Sequence, residues 1–443
     1  MGFVTTGRQL YSGIVNRQVR QRSAAILLVL ATALPRLVAV LYARGSIVSS
    51  NVDKGDVFAR QFLANGTYGY IPGHPSAYTQ PLYGFFLVPL YWIFGRHWLV
   101  VGVAQTAVAC ATVLIVWRIG VRWLSPAAGV IGGLVVALHP YLIWHDVHMN
   151  REILDQLLAA AAIYLTVLAA ERFTPARGLA LGAVLGLGIL GNVRLEALPV
   201  VLLAFLAFRR RVRPLAVLAV CGACAVVVMP WVIRTKADVG CWAVTTDARS
   251  IWKANNVNTY ATLKSGQWID HVPQPKSFPP TPQDVYDHWV QTGAVLPYDE
   301  CAQMNAFQSK VIHFWLDDPG AKAKLLPLDA QWLWQPSVVD VTNRPGQGTW
   351  LDTMRFVIEP AYMSAVYLLA AIGLFLVPRR FAALTILLLA YQTACAMLFV
   401  GETRYRIPFD CLLALLAGTA LLRLPRTRSE AMSAMRRVAS SRS

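Results

Sequence analysis

Long apolar runs, repeated along most of the chain, limit most strongly what this sequence can fold into. About 20 consecutive apolar residues cross the hydrocarbon core of a bilayer as an α-helix. The composition agrees with such spans, because 56% of the 443 residues are hydrophobic and only 14% are charged, whereas a soluble domain carries about 25% charged residues. These values exclude collagen-like, disulfide-scaffold and disordered chains and an ordinary cytosolic enzyme. The sequence therefore predicts an all-α polytopic membrane protein.

The basic residues form short clusters between the apolar runs. The net charge is +17, yet residues 235–352 are net acidic, so the positive excess lies in the rest of the chain. Cytoplasmic loops of membrane proteins carry such an excess of Lys and Arg. The clusters comprise Arg17, Arg20 and Arg22; Arg118 and Arg122; Arg172 and Arg177; Arg209, Arg210, Arg211 and Arg213; Arg379 and Arg380; and Arg423, Arg426, Arg428, Arg436 and Arg437. We interpret this balance as a topology signal and expect no nucleic-acid partner.

Ten membrane-spanning helices are predicted between these clusters. They are expected over residues 23–43, 98–120, 126–143, 152–170, 179–192, 195–208, 214–233, 355–377, 381–399 and 407–423. Ten crossings place both termini in the cytoplasm, together with every Arg cluster. The first run ends in LYARGS without a small-residue cleavage site, so we interpret it as a retained anchor. Gly178, Gly182 and Gly186 repeat at a spacing that is typical of close helix packing in membranes.

Two segments are left outside the cytoplasm by this arrangement. Residues 44–97 form the first external loop, and residues 234–352 are long enough for a small extracytoplasmic domain. The predicted division is therefore an N-terminal bundle with its external loop (1–233), the extracytoplasmic domain (234–352), C-terminal helices (353–423) and a basic cytoplasmic tail (424–443). Cys241 and Cys301 are the two cysteines of that domain. An oxidising exterior would allow them to pair, and the sequence leaves this open.

Charged side chains from five separated segments fall at the external ends of the predicted helices. Charges in or beside membrane helices are costly and are functional hypotheses by default. The set comprises Asp53 and Asp56 after the first helix, Arg36 in its outer half, Glu152 at the start of the fourth span, Arg194 and Glu196 in a short hairpin, and Arg404 and Arg406 before the last helix. Arginine binds phosphate oxygens with a planar fork, and a carboxylate can accept a proton from an attacking hydroxyl. These residues predict a lipid-phosphate substrate.

Each of these residues also has a structural interpretation. One of Asp53 and Asp56 is expected to be a loop acid or helix cap. Arg194 and Glu196 could neutralise each other, and Arg404 could contact lipid head groups. His145 and His148 have a spacing compatible with a metal pair, but histidines at a membrane boundary are more often structural, so no metal is predicted, although a divalent ion is not excluded. No phosphate-binding loop or dinucleotide motif is present.

Several motifs resemble a known family when they are taken in order. They are ARQFLANG from Ala59 to Gly66, the Pro-Ser-Ala-Tyr-x-x-Pro-Leu-Tyr segment from Pro75 to Tyr83, the Glu152 helix start, the Arg194-x-Glu196 hairpin and Arg-Tyr-Arg-x-Pro from Arg404 to Pro408. Their order and placement resemble the GT-C superfold of membrane glycosyltransferases. Within it they are most similar to the family 39-like group of protein O-mannosyltransferases and lipid A aminoarabinose transferases. The resemblance covers most of residues 23–423.

The resemblance implies a polyprenyl-phosphate-linked sugar donor, an extracytoplasmic reaction site and inversion of the anomeric configuration by direct displacement. An Asp of the first external loop would be the base. Asp53 is preferred and Asp56 is second. Many relatives have an Asp-Glu pair or an Asp with Tyr four residues on, whereas this chain has DKGDVF, so the resemblance leaves the choice between the two acids open. The donor phosphate would contact Arg404 and Arg406, with Arg36 and Arg194 next. Glu152, Glu196 and Tyr78 would orient these groups or touch the sugar or acceptor.

Two other functions stay open at this point. A transporter or flippase of a lipid-linked saccharide would need polar groups near mid-membrane, broken helices and related halves, and no internal repeat is evident. A scaffold protein would use the external domain to bind a partner and would tolerate replacement of Asp53. The sequence does not choose the sugar or the acceptor, which could be a glycan, a lipid or a protein. Its Arg-, Ala- and Val-rich composition suggests a bacterial source and a location in the cell membrane.

Overall fold

The computed structural model describes residues 3–50, 52–209, 213–275, 277–336 and 357–424. The regular elements in these ranges are helices, apart from one isolated bridge between Ile71 and His74. The helices are α1 (Phe3–Ala43), α2 (Gly55–Asn65), α3 (Pro81–Phe94), α4 (Trp98–Trp123), α5 (Pro126–Ala137), α6 (Pro140–Val147), α7 (Glu152–Glu171), α8 (Pro175–Gly191), α9 (Leu198–Arg209), α10 (Pro214–Asp238), α11 (Ala248–Lys253), α12 (Thr259–Lys264), α13 (Pro282–Thr292), α14 (Glu300–Asp317), α15 (Pro319–Trp334), α16 (Glu359–Leu376), α17 (Arg379–Leu398) and α18 (Thr403–Leu424).

The predicted all-α polytopic membrane fold is confirmed. Seven helices in the described ranges are long and apolar enough to cross a membrane, and the bent pair of α5 and α6 brings the number to eight. The short hairpin predicted around Arg194 corresponds to α8 and α9, which have 17 and 12 residues. The short apolar helix α3 lies outside the ten predicted spans and ends at Phe94, before Gly95.

The fifth and sixth helices form a pair that is bent by 58° at a short break, as in a broken span or a re-entrant loop. The interruption frees backbone carbonyls, and such groups need partners inside a membrane. Arg36 supplies such a partner, because its Nη1 donates a hydrogen bond to the carbonyl of Ala137 at 2.8 Å. Its Nε and Nη2 both contact Asp146 Oδ2 at 2.7 Å. Arg36, predicted as a phosphate ligand, therefore closes the helix break.

The close helix packing predicted from the glycine repeat is confirmed between α8 and α10. A Cβ atom on Gly182 would lie 2.2 Å from the carbonyl oxygen of Val220, and one on Gly178 would lie 2.6 Å from that of Ala216. Gly186 continues the contact against Cys224 and Val227. Only a residue without a side chain lets the two backbones approach this closely.

The segment between α10 and α16 folds as a helical insertion, here called the insert domain (residues 239–336). It contains α11 to α15, and its apolar core includes Trp252, Phe278 and Phe307. Cys241 and Cys301 form a disulfide bond that joins its first residues to α14. Its start differs slightly from the prediction because α10 continues to Asp238. The predicted residues 337–352 and the basic tail after residue 424 lie outside the described ranges.

Two joints fix the insert domain to the membrane bundle. At the first, Glu300 Oε1 accepts the backbone N–H of Ala77 at 2.8 Å, and the N–H of Thr246 donates to the carbonyl of Ala77 at 2.9 Å. At the second, Lys322 Nζ donates to the carbonyl of Met397 at 2.6 Å, and Asn255 Nδ2 donates to that of Phe399 at 3.3 Å. The insert domain thus satisfies carbonyls at the end of α17 that the helix leaves without partners.

Candidate active site

A cavity of about 540 Å³ lies between the bundle and the insert domain. Six segments that are distant in sequence form its walls: the loop before α2, the residues before α3, the connection from α6 to α7, the turn between α8 and α9, the insert domain, and the residues from the end of α17 to the start of α18. Its charged lining residues are Asp53, Lys54, Arg151, Glu152, Arg194, Glu196, Asp247, Asp270 and Arg404. Five residues proposed from the sequence, Asp53, Glu152, Arg194, Glu196 and Arg404, therefore meet in one place.

Asp53 has the geometry of a proton acceptor. Its backbone N–H donates to the carbonyl of Met149 at 2.9 Å, which fixes the residue against the start of α7. Its Oδ1 accepts the N–H of Gly55 at 2.8 Å, and its second oxygen makes no hydrogen bond within the described ranges. Burial raises the pKa of the Asp53 carboxyl above its usual value, and the nearby Arg151 charge only partly opposes this. A raised proton affinity and one open oxygen suit a general base.

Asp56, the second choice for the base, does not line the cavity. Its side chain is 1% exposed and accepts hydrogen bonds from Tyr91 Oη at 2.7 Å, Arg96 Nε at 2.8 Å and Arg60 Nε at 3.1 Å. Because both oxygens are engaged, Asp56 serves to fix α2 against α3 and the segment that follows it. We therefore do not retain it as a candidate base.

Arg194 is held by an aromatic ring instead of a carboxylate. Its guanidinium carbon lies 3.2 Å from the centroid of the Tyr405 ring. None of the ion pairs in the described part of the chain involves Arg194, and its Nε is buried without a hydrogen-bond partner there. The suggested neutralisation by Glu196 is absent from these ion pairs. A cation that is fixed by stacking and keeps its donors available suits an anionic ligand.

Arg404 also lines the cavity, but it has partners of its own. Its Nε contacts Glu402 Oε2 at 2.5 Å, and its Nη2 donates to Tyr405 Oη at 2.9 Å. Tyr405 thus receives Arg194 on its ring and Arg404 at its hydroxyl. The first turn of α18 therefore fixes two guanidinium groups at the cavity.

Arg151 was missed as a site residue by the sequence interpretation. It precedes α7, lines the cavity and donates to Gln80 Oε1. Burial alone would lower the pKa of Arg151, but the neighbouring charges of Asp53 and Glu152 raise it overall, so the side chain stays protonated. The signal was visible as the Arg151–Glu152 pair, but only the Glu matched a motif of the family.

Arg406 and Tyr78 lie outside the cavity. Arg406 is fully buried and binds Asp410, with Nε at 2.9 Å from Oδ1 one helical turn away. It is therefore a packing ion pair of α18, and its i,i+4 spacing was readable from the sequence. Tyr78 is also fully buried, and its ring lies 4.5 Å from Lys54 Nζ. Neither residue is placed to contact a ligand directly.

The histidines considered for a metal have other surroundings. His148 Nδ1 lies 2.7 Å from the carbonyl oxygen of Trp144, and its ring stacks on the Trp144 ring. His145 Nδ1 lies 3.2 Å from Asn150 Nδ2. Within the residues that the structure describes, no three His, Cys, Asp or Glu side chains are grouped to hold a metal ion.

The cavity combines functional groups of two origins. Arg151, Arg194 and Arg404 come from the ends of the membrane helices, whereas Asp247, Ser250 and Asp270 come from the insert domain. A ligand whose phosphate lies at the membrane boundary would meet the arginines. Its polar remainder would meet Asp53 and the acids and hydroxyls of the insert domain. This order suits an amphiphile with a phosphate between a lipid chain and a polar head.

The chain is similar to one known protein family and to several solved structures. Residues 74–233 match the family described as dolichyl-phosphate-mannose-protein mannosyltransferase. No curated protein sequence matches the chain significantly. Among solved structures, the Archaeoglobus fulgidus oligosaccharyltransferase AglB, in complex with an inhibitory peptide and a dolichol-phosphate, has 13% identity and a TM-score of 0.50 over 94% of this chain. The same organism's oligosaccharyltransferase, tethered to an acceptor peptide, has 12% identity and a TM-score of 0.52 over 93% of this chain.

The archaeal likeness shows the fold of this chain. The chain spans about half of the archaeal protein, 52% in the first structure and 51% in the second. ArnT from Cupriavidus metallidurans, bound to undecaprenyl phosphate, is 15% identical and aligns with 89% of this chain and 77% of its own, with a TM-score of 0.43. The motifs thus resemble a group of proteins to which residues 74–233 are also similar, and the archaeal oligosaccharyltransferase shares the fold of this chain.

Proposed function

We propose that this chain is an integral membrane glycosyltransferase that moves a sugar from a polyprenyl-phosphate donor to an extracytoplasmic glycan, lipid or protein. The observation that carries the proposal is one cavity that holds both Asp53, with an open carboxylate oxygen, and Arg194, with no carboxylate partner in the described ranges. A base and an anion site at the boundary of a hydrophobic bundle are the two parts that such a transfer requires. The family match of residues 74–233 supports this chemistry.

The proposed reaction is a single displacement. Asp53 accepts the proton of the acceptor hydroxyl while the hydroxyl oxygen forms a bond to the anomeric carbon of the sugar. The bond between that carbon and the phosphate oxygen breaks, and its electron pair stays on the phosphate. Arg194, Arg151 and Arg404 stabilise the charge that develops on the departing phosphate, since fixed donors in a site shielded from water are effective there. Attack opposite to the leaving group inverts the anomeric centre.

The remaining site residues are assigned by position. Glu152 and Glu196 line the cavity and would contact sugar or acceptor hydroxyls or orient Arg151. Tyr78 would act only through Lys54, which covers its ring. The reaction as proposed needs no cofactor beyond the donor.

We further propose that the cavity faces the extracytoplasmic side and that both termini are cytoplasmic. Helix α7 runs from Glu152 at the cavity to Glu171 at the other end of the bundle. Arg122 binds Glu171 there, and Arg380 lies 5.1 Å from the Trp123 ring. The basic loops therefore gather at the end remote from the cavity, which is the cytoplasmic end under the positive-inside rule. The bacterial origin suggested by composition stays a prediction.

The test is sugar transfer by the purified protein in lipid nanodiscs with a panel of polyprenyl-phosphate sugars. Asp53→Asn should abolish sugar transfer and also the slow hydrolysis of the donor by water, because the amide cannot accept the proton. Binding of the donor should be kept. Arg194→Met should weaken donor binding by about tenfold or more, because a charge-assisted phosphate contact is lost. Asp287→Asn, which removes an exposed acid of the insert domain, is the matched control and should behave as wild type.

Two results would contradict the proposal. Full transfer by Asp53→Asn would exclude Asp53 as the base and make Glu152 the next candidate. Saturable binding of a donor without turnover of any member of the panel, together with movement of the lipid between leaflets, would favour the flippase alternative.

A further inference from the structure

An ion pair between Lys54 and Asp247 crosses the cavity from the first external loop to the insert domain. Lys54 Nζ lies 2.7 Å from Asp247 Oδ2, and the two side chains are 34% and 16% exposed. Both residues line the same cavity as Arg151, Arg194 and Arg404. Lys54 also follows Asp53, the proposed base, directly in the chain. This pair is therefore a contact between the two walls that a ligand must separate or pass.

Lys54 keeps donors that are available for a ligand. Its ammonium group has three N–H donors, and within the described ranges it makes a single hydrogen bond, to Asp247. The group also lies 4.5 Å from the centroid of the Tyr78 ring, which is a cation–π contact and not a hydrogen bond. A lysine stem is flexible and its charge is compact, so Lys54 can change partners without movement of the backbone.

Asp247 would stay stabilised if Lys54 left it. Its Oδ1 accepts the backbone N–H of Ser250 at 3.3 Å, and its Oδ2 accepts the Ser250 hydroxyl at 3.0 Å. Burial alone would raise the pKa of the Asp247 carboxyl, but Lys54 and Arg249 outweigh it and the pKa lies below its usual value. Arg249 remains nearby after an exchange. The departure of Lys54 therefore does not leave a bare buried carboxylate, which would be costly.

We propose that Lys54 binds the donor phosphate. Without donor, Lys54 is paired with Asp247, and the phosphate displaces Asp247 from Lys54 when the donor binds. This inference rests on the proposed function and names a residue of its donor site. Asp247 then acts as a competitor of the ligand, because every bound phosphate must displace it. The proposal has a signature that a merely structural ion pair lacks. Removal of the lysine weakens binding, whereas removal of the aspartate strengthens it.

The experiment measures the affinity of the full-length protein in nanodiscs for undecaprenyl phosphate, with undecaprenol as the uncharged control lipid. Lys54→Met should bind the phosphate lipid about tenfold more weakly, as expected for the loss of a charge-assisted contact. Asp247→Asn should bind it about threefold to fivefold more tightly, since a partly exposed ion pair no longer competes. In the Lys54→Met background, Asp247→Asn should have no further effect, because Asp247 acts only through Lys54.

Matched controls address folding and general charge effects. Lys264→Met and Asp287→Asn remove one exposed charge each from the insert domain outside the cavity, and both should bind as wild type. Asp247→Ser keeps a good cap at the start of α11 without the charge. It should therefore reproduce the tighter binding even if Asp247→Asn folds poorly.

Unchanged or weaker binding by both Asp247 variants, in protein that is folded by thermal unfolding, would overturn the inference. If Arg194→Met still weakens binding in that case, the proposed donor site is supported, and only the inference that the phosphate displaces Asp247 from Lys54 is contradicted. Failure of the wild type to bind undecaprenyl phosphate in preference to undecaprenol would overturn both.

Discussion

At the scale of single residues, the surroundings of Asp53 and Asp56 separate two acids that lie three positions apart. Asp53 has one oxygen on a backbone N–H and a second without a hydrogen-bond partner in the described ranges. Asp56 is buried among two arginines and a tyrosine hydroxyl. A carboxylate that is saturated with donors stabilises the fold, whereas one with an open oxygen can accept a proton. Replacement of Asp56 should therefore lower stability, whereas replacement of Asp53 should abolish sugar transfer.

We expect Asp56→Asn to lower the free energy of unfolding by about 3 kcal/mol, because it leaves Arg96 with an uncompensated charge at a buried contact. Asp53→Asn keeps the acceptor for the Gly55 N–H and should change stability by less than about 1 kcal/mol. Thermal unfolding of the two variants in the same detergent measures the difference. An equal loss of stability in both would show that the division into a structural and a reactive acid is mistaken.

The contacts of single residues also explain which arginines could be assigned to the cavity from the sequence. Arg194 and Arg404 were found because they sit in short motifs that also form the cavity wall. Arg36 belonged to the same list of membrane charges, but its partner Asp146 lies 110 residues away, and no local pattern announces that pairing. Lys54 has no local pattern that marks it as a site residue either, because its partner Asp247 is 193 residues distant. Whether a charged residue lines the site or forms a buried ion pair depends on partners that are distant in sequence. The periodicity of the local sequence does not reveal those partners.

At the scale of elements, the end of α17 and the turn into α18 depend on the insert domain. Lys322 and Asn255 bond the last carbonyls of α17, and the backbone N–H of Gly401 lies 3.4 Å from Asp329 Oδ1. Burial raises the pKa of the Asp329 carboxyl above its usual value, although the Lys322 charge opposes the rise. This joint holds the turn that carries Arg404 and the Tyr405 ring under Arg194. The insert domain therefore positions two cationic groups that it does not itself supply.

Replacement of Lys322 by Met should weaken undecaprenyl phosphate binding several-fold without a change to any residue of the cavity. The cap of α17 is lost, and Asp329 stays buried without its cation, which together cost about 2 kcal/mol at the joint. Hydrogen exchange of residues 399–406 should become faster in the same variant. Lys324→Met removes an exposed charge two residues away and is the control. Unchanged exchange together with unchanged affinity would show that the joint does not position Arg404.

At the scale of the whole molecule, hydropathy and charge placement predicted the membrane fold well, because both are summed over many residues. The spans and the close approach of α8 to α10 follow from local patterns. The site is harder to predict, since its walls come from six segments, and how far apart these lie in space depends on how the helices pack. The insert domain contributes Asp247 and Asp270 to the cavity, and nothing in their local sequence distinguishes them from other surface acids.

The proposed orientation of the molecule can be tested with single cysteines. Ser265→Cys, on the exposed surface of the insert domain, should react with a membrane-impermeant maleimide in intact cells. Arg172→Cys, in the exposed loop between α7 and α8, should react only after the membrane is opened. Both should be made in a Cys221→Ala background, since Cys221 is the exposed free cysteine. Labelling with the opposite pattern would reverse the topology and place the cavity in the cytoplasm.

The ion pair between Arg36 and Asp146 also has a consequence for biosynthesis. Arg36 is inside the first membrane-spanning helix, and its partner is made 110 residues later. At about 5–20 residues per second, that delay lasts on the order of 10 seconds. A lone arginine at the centre of a helix adds about 2.5–3.5 kcal/mol to the cost of membrane insertion. The first helix therefore has to remain beside the translocon, or keep its arginine near the lipid head groups, until the sixth helix has been made and Asp146 can pair with Arg36.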